Sequence, residues 1–416
     1  MAPAHPPRTT RHRRRRGRPV PQRRTFLVLI LSVALLVAIG GLVAALPSVL
    51  GIVSHTSRSP RPHPGSGDTT RDTTTSPDTT STTGSTVAGR PPTFAVGMTT
   101  QVFDEPAPAT TYDYATGATT PGRQMVTLIE YPALPRGTAT NGHDLAPARQ
   151  WGPYPVILFA PGYDMAPSGY EALLSSWVKA GFVVASPSFP ETNPVAVSAA
   201  AAAGYPHGTP EASMVDQPGD VAFVANQVAR EAGTPGSLLN GLVNTSEIAL
   251  AGQSDGGTAV AALAYGTNPY YTGPSFAGPA LDVRISAVAV LSGATLYDAA
   301  YSPARAGLPP LFMVQSATDA CNTPQSATAL YDAVNPAVKF FLLLDNAGHL
   351  APYTGGTDAT LVEDSTLGFF ELELEGRGSP AALISSGTVP GMSSLAATAR
   401  APALAPVVED GQSCYS

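Results

Sequence analysis

The sequence is poor in the residues that build metal centres. Only two cysteines, Cys321 and Cys414, occur in 416 residues, and no cysteine/histidine cluster has metal-ligand spacing. Histidine is nearly as scarce: beyond residue 92 only His143, His207 and His349 remain. Basic charge is also thin outside one place. Nine of the 23 lysines and arginines stand in the first 24 residues, leaving 14 against 30 acidic residues, a net of −16. A basic nucleic-acid-binding face is therefore excluded from the remainder. Charge is absent altogether from residues 26–53, and no internal repeat is evident.

That charge-free stretch is apolar almost without interruption from Phe26 to Leu46, long enough to cross a bilayer as a helix. The arginines before it predict a cytoplasmic N-terminus, residues 1–25, and a remainder outside. The alternative is an export signal cleaved to release a secreted protein, and Arg23-Arg24 suits a twin-arginine signal. The run is long for a cleaved signal, which favours an anchor. Residues 54–92 are Ser, Thr, Pro, Gly and Asp, and bury too little to offset chain entropy, so they read as a disordered linker.

From residue 93 the pattern becomes that of a folded domain, predicted over 93–375. Residues 96–103 and 123–131 alternate apolar and polar, as half-exposed antiparallel strands do. Residues 155–160 (PVILFA) and 181–185 are continuous apolar runs suited to strands buried on both faces. Helical patterns occupy 168–180, 216–232 and 360–372, with Val221, Val224 and Val228 on one face. Further apolar runs at 248–251, 283–291, 311–315 and 338–344 complete an α/β alternation, which predicts a mostly parallel central sheet flanked by helices. The tail, 376–416, is rich in Ser, Ala, Pro and Gly and is expected to be loosely ordered.

The chemistry gathers at strand ends. Residues 247–265 (EIALAGQSDGGTAVAALAY) read as strand, sharp turn and helix, with G-x-S-x-G at the turn. Such a turn strains the serine backbone and lifts Ser254 Oγ clear of the sheet, with helix amides behind it. After the run at 311–315 comes Asp319, and after that at 338–344 comes His349. Each stands beyond the carboxyl end of a predicted strand, where ligands of such sheets bind. The order Ser254, Asp319, His349 is that of α/β-hydrolase triads. Gly162-Tyr163, after PVILFA, offers backbone N–H groups. The Tyr163 amide and that of Asp255 form a candidate oxyanion hole.

These segments resemble the α/β-hydrolase superfamily, in particular the cutinase-like polyester hydrolases and the platelet-activating-factor acetylhydrolase group. The resemblance covers roughly residues 96–372. It rests on PGYDMAPSGYEALLSSWVKAGFVV, Asp216-Gln217-Pro218 before a helix, GQSDGG, Asp319 ahead of LYDAV, and NAGHLAP. It implies an α/β-hydrolase fold with Ser254 as nucleophile, His349 as general base and acid, and Asp319 orienting the imidazole. It also implies a substrate pocket bounded by Gly162 and the Tyr163 ring, and an ester substrate cleaved with no metal or cofactor. Two departures stand out. Polyester hydrolases usually carry Met where this chain has Asp255, a carboxylate that disfavours anionic substrates. Their Trp-His clamp is replaced by residues 292–297 (SGATLY), on which Leu296 is a candidate pocket residue.

Residues 194–214 lie ahead of Asp216-Gln217-Pro218 like an insertion, and suit a lid or a surface loop. Export would favour a disulfide between Cys321 and Cys414, with two free thiols the alternative. The expectation is a membrane-tethered serine esterase acting outside the cytoplasm. A peptidase or thioesterase with the same triad, or a non-catalytic surface-binding module on the same scaffold, are the competing classes.

Overall fold

The computed structural model describes residues 91–205, 215–266, 281–293, 307–411 and 414. The basic N-terminus, the apolar stretch at 26–53, nearly all of the linker, Leu296 and residues 206–214 of the candidate lid lie outside them. Among the described residues no helix is long and apolar enough to cross a membrane.

Among the described residues ten strands form one sheet: β1 (Ala95–Asp113), β2 (Ala118–Ala133), β3 (Asn141–His143), β4 (Tyr154–Ala160), β5 (Val183–Ser188), β6 (Val243–Gln253), β7 (Ile285–Leu291), β8 (Leu311–Ser316), β9 (Lys339–Leu344) and β10 (Ser393–Ala396). Their spatial order is β10-β9-β8-β7-β6-β4-β5-β2-β1-β3. The six strands from β5 to β9 in that order run parallel, while β2 is antiparallel to β1 and β5 and β10 to β9. A large, mostly parallel sheet of this kind flanked by helices fits the α/β-hydrolase fold.

The apolar runs are continuous because both sheet faces are covered. Along β4, Val156, Leu158 and Ala160 join one core while Ile157 and Phe159 join the other. The same alternation divides Ile248 and Leu250 from Ala249 and Ala251 on β6. On one face lie α1 (Glu171–Ala180) and α6 (Ala359–Glu375), contributing Leu174, Trp177, Phe369 and Phe370. On the other lie α3 (Gln217–Gly233), α4 (Asp255–Tyr265) and α5 (Pro324–Ala333). Val221, Val224 and Val228 of α3 all enter that core. The first part of the candidate lid is a helix, α2 (Pro194–Ala202), whose Asn193 side chain accepts from the amides of Val195 and Ala196.

Two expectations need correcting. The half-exposed strand at 123–131 alternates only as far as Ile129: Arg123 and Thr127 are buried in step with Met125 and Ile129, Val126 faces out, and Glu130 is buried out of step. Arg123 is admitted to the interior because its Nε and Nη2 each donate to Asp220 at 2.8 Å and its Nη1 donates to Glu191 at 2.8 Å. The tail is not loosely ordered: it carries α7 (Pro380–Ser386) and the edge strand β10. Its small residues conceal two apolar anchors, the buried Leu383 and Leu395. Beyond β10 the chain follows α5, where Tyr331 donates to Thr398 O at 2.7 Å and Ala401 N donates to Asp332 Oδ1 at 2.7 Å. The tail's order comes from these contacts rather than from local propensity.

Candidate active site

Ser254 is the single residue between the end of β6 and the start of α4. Its φ of 55° and ψ of −123° lie where L-residues rarely go, a conformation costing about 1–3 kcal/mol. Two backbone bonds hold it there: Ser254 N donates to Leu291 O at 2.9 Å, and Thr258 N donates to Ser254 O at 3.0 Å. The flanking glycines are steric requirements. A Cβ on Gly252 would collide with the carbonyl of Gly256, and one on Gly256 with the carbonyl of Ala160 on β4.

Asp319 follows β8 and His349 follows β9, so both reach the same sheet edge as Ser254. His349 Nε2 lies 2.9 Å from Ser254 Oγ, and His349 Nδ1 lies 2.9 Å from Asp319 Oδ2. The three residues are 9%, 3% and 1% exposed in the order Ser254, His349, Asp319. The serine thus borders solvent while its partners are shielded. An acid that accepts from Nδ1–H fixes the tautomer in which Nε2 is free to accept the serine proton.

Asp319 is itself held from several sides. Its Oδ1 accepts the amides of Cys321 at 2.9 Å and Asn322 at 3.1 Å, and Gln315 Nε2 donates to Oδ2 at 3.3 Å. Cys321 is disulfide-bonded to Cys414, so the tail is covalently tied to the loop that supplies these amides. Asn322 Nδ2 donates to Ser292 O at 2.7 Å and stands 3.5 Å from Ser254 Oγ.

On the other side of the serine, the loop after β4 presses close. A Cβ on Gly162 would lie 2.6 Å from Gln253 Oε1 and 3.1 Å from Ser254 Cβ, so only glycine brings this backbone so near Ser254. Tyr163 and Asp255 are both half-buried, Asp255 as the first residue of α4. Asp164 follows with a φ of 58°, and burial raises its carboxyl above the ordinary aspartate range.

Sequence patterns did not identify Gln253, Tyr170, Gln315 or Asn322. Their hydrogen bonds are set by the fold, Tyr170 to Gln253 83 residues away, Asn322 to Ser292 30 away and Gln315 to Asp319 four away, and no local motif marks them. A hint was available only for Gln253, the variable position before the serine. Among the described residues no group of three or more His, Cys, Asp or Glu side chains is placed to hold a metal ion.

No family model matches the chain, and no curated protein matches it. Among solved structures it is similar to a ferulic acid esterase from Streptomyces cinnamoneus, at 17% identity and a TM-score of 0.46, over 70% of this chain and 93% of that one.

Proposed function

We propose that the domain is a serine hydrolase of carboxylic esters working through an acyl-enzyme. The observation that supports this best is the unbroken line from Ser254 Oγ through the His349 ring to Asp319, with both gaps at 2.9 Å. In this reading His349 Nε2 takes the hydroxyl proton as Ser254 attacks the ester carbonyl. The amides of Tyr163 and Asp255 receive the developing oxyanion, and His349 returns the proton to the departing alcohol. Water, deprotonated by the same imidazole, then releases the acid. Asp319 stabilises the imidazolium in both steps.

The substrates proposed are small or lipid-like esters, with Gly162, the Tyr163 ring and Leu296 bounding the pocket. The finer kinship, with cutinase-like and platelet-activating-factor acetylhydrolase enzymes, belongs to the same proposal. So does location: an anchor at residues 26–53 would hold the catalytic domain outside the cytoplasm, an environment that suits the Cys321–Cys414 disulfide. A series of p-nitrophenyl esters of increasing acyl length tests the activity. Turnover of short or medium chains, lost in Ser254→Ala, supports it. Peptide or thioester turnover without ester turnover would replace it.

A further inference from the structure

Behind the serine runs a chain of buried polar groups that the acyl-transfer scheme leaves unused. Tyr170 is 0% exposed, and its hydroxyl accepts the Gly162 amide at 3.1 Å while donating to Gln253 Oε1 at 2.8 Å. Gln253, 1% exposed, continues the chain: its Nε2 donates to His349 O at 3.3 Å and lies 3.3 Å from His349 Nε2. The direction is fixed by chemistry. Gly162 N–H can only donate and His349 C=O can only accept, so the hydroxyl proton must point to the glutamine oxygen and the glutamine amino group to the histidine loop. Burial raises the Tyr170 hydroxyl well above the ordinary phenol range, so it remains a proton donor at any working pH.

The two ends matter because they belong to different parts of the machinery. Gly162 precedes Tyr163 on the loop after β4, whereas His349 sits on the loop after β9. In the sheet these strands are separated by β6, β7 and β8. We infer that Tyr170 and Gln253 are positioning residues that lock the oxyanion loop and the histidine loop into one register about Ser254. The Gly162 amide of one loop and the His349 carbonyl of the other are engaged by a single relay, and a water cannot readily replace a link in a space this enclosed. This inference rests on the reading of Ser254 as nucleophile for its kinetic consequence, but not for its structural one.

Tyr170→Phe removes one oxygen and keeps the ring that packs on Phe159 at a centroid distance of 4.8 Å. Gln253→Leu removes the amide and keeps the bulk. In each variant kcat should fall about 10- to 100-fold, the scale of small misplacements in a reacting geometry. KM should stay within about twofold, because substrate binding is not what the relay serves. Since both residues belong to one chain, the double variant should be little worse than the poorer single one. Additive losses, or losses carried in KM, would overturn the relay.

A second measurement stands apart from activity. Amide exchange, followed by mass spectrometry, should quicken in both 159–165 and 345–351 when only Tyr170 is changed to Phe. Quickening confined to 159–165 would overturn the inference even in an active enzyme. Should the wild-type protein cleave no ester, coupled exchange in the two loops would still uphold the relay while the functional reading failed.

Discussion

The Cys321 amide donates to Asp319 Oδ1 at 2.9 Å, and the Cys321 side chain is bonded to Cys414 near the end of the chain. One residue therefore links the order of the tail to the orientation of the acid. Replacing Cys414 by Ser frees a closure of 93 residues, and should lower unfolding free energy by about 2–4 kcal/mol. Because the same loop supplies Asp319 with two amides, turnover should fall more than twofold below the unfolding transition. Urea titration and steady-state kinetics check the two effects; unchanged turnover would separate the bridge from the acid.

Asp319→Asn preserves shape and abolishes the charge. The amide would hydrogen-bond the imidazole in the wrong tautomer, and kcat should fall about 1,000- to 10,000-fold at neutral pH. The variant should fold normally, since Asn can still accept the Cys321 and Asn322 amides through its oxygen. A near-wild-type rate at pH 7 would remove Asp319 from its role.

Arg123 joins the β1–β2 hairpin to α3 through Asp220. Burial raises the Asp220 carboxyl above the ordinary aspartate range even against the attraction of the guanidinium. Arg123→Ala strands that carboxylate, at a cost of about 3–5 kcal/mol. The cost should shrink on acidification, because a protonated Asp220 tolerates the vacated site. Lysine should rescue only part of it, lacking the bidentate fork. Denaturation midpoints of the two variants at pH 5.5 and pH 8 measure this.

Glu130, 2% exposed on β2, offers a pH-dependent signature of its own. Burial, reinforced by Glu171, raises its carboxyl to about 7 from 4.5, and its Oε2 accepts no hydrogen bond among the described residues. The folded state therefore holds the proton more tightly than the unfolded state. Stability contributed by the neutral form is complete below about pH 4.5 and is lost as pH rises towards 7, by about 3 kcal/mol. Glu130→Gln should flatten that part of the profile and raise the melting temperature at pH 8. A variant no more stable than wild type at pH 8 would contradict it.

What could be read from the chain in advance was what is local. The elbow announces itself because Gly252, Ser254 and Gly256 must be neighbours in sequence for β6 and α4 to pass so closely. The meeting of Asp319 and His349 at one sheet edge could be anticipated because each stands in the loop after an apolar run, and the sheet brings those run ends together. The Tyr170–Gln253 chain was not legible, since it joins residues 83 apart through two side chains. Arg123 was misleading for a related reason. On a half-exposed strand an arginine suggests solvent, and only the carboxylates of Asp220 and Glu191, brought from distant segments, make its burial tolerable. The tail was misread because composition measures propensity, whereas Leu383 and Leu395 act through packing.

The most direct test is covalent capture of the nucleophile. Incubation of the folded domain with a fluorophosphonate, followed by peptide mapping, should place one adduct on Ser254, with labelling lost in His349→Ala. An unlabelled folded protein, or a label on another residue that persists in Ser254→Ala, would contradict the account.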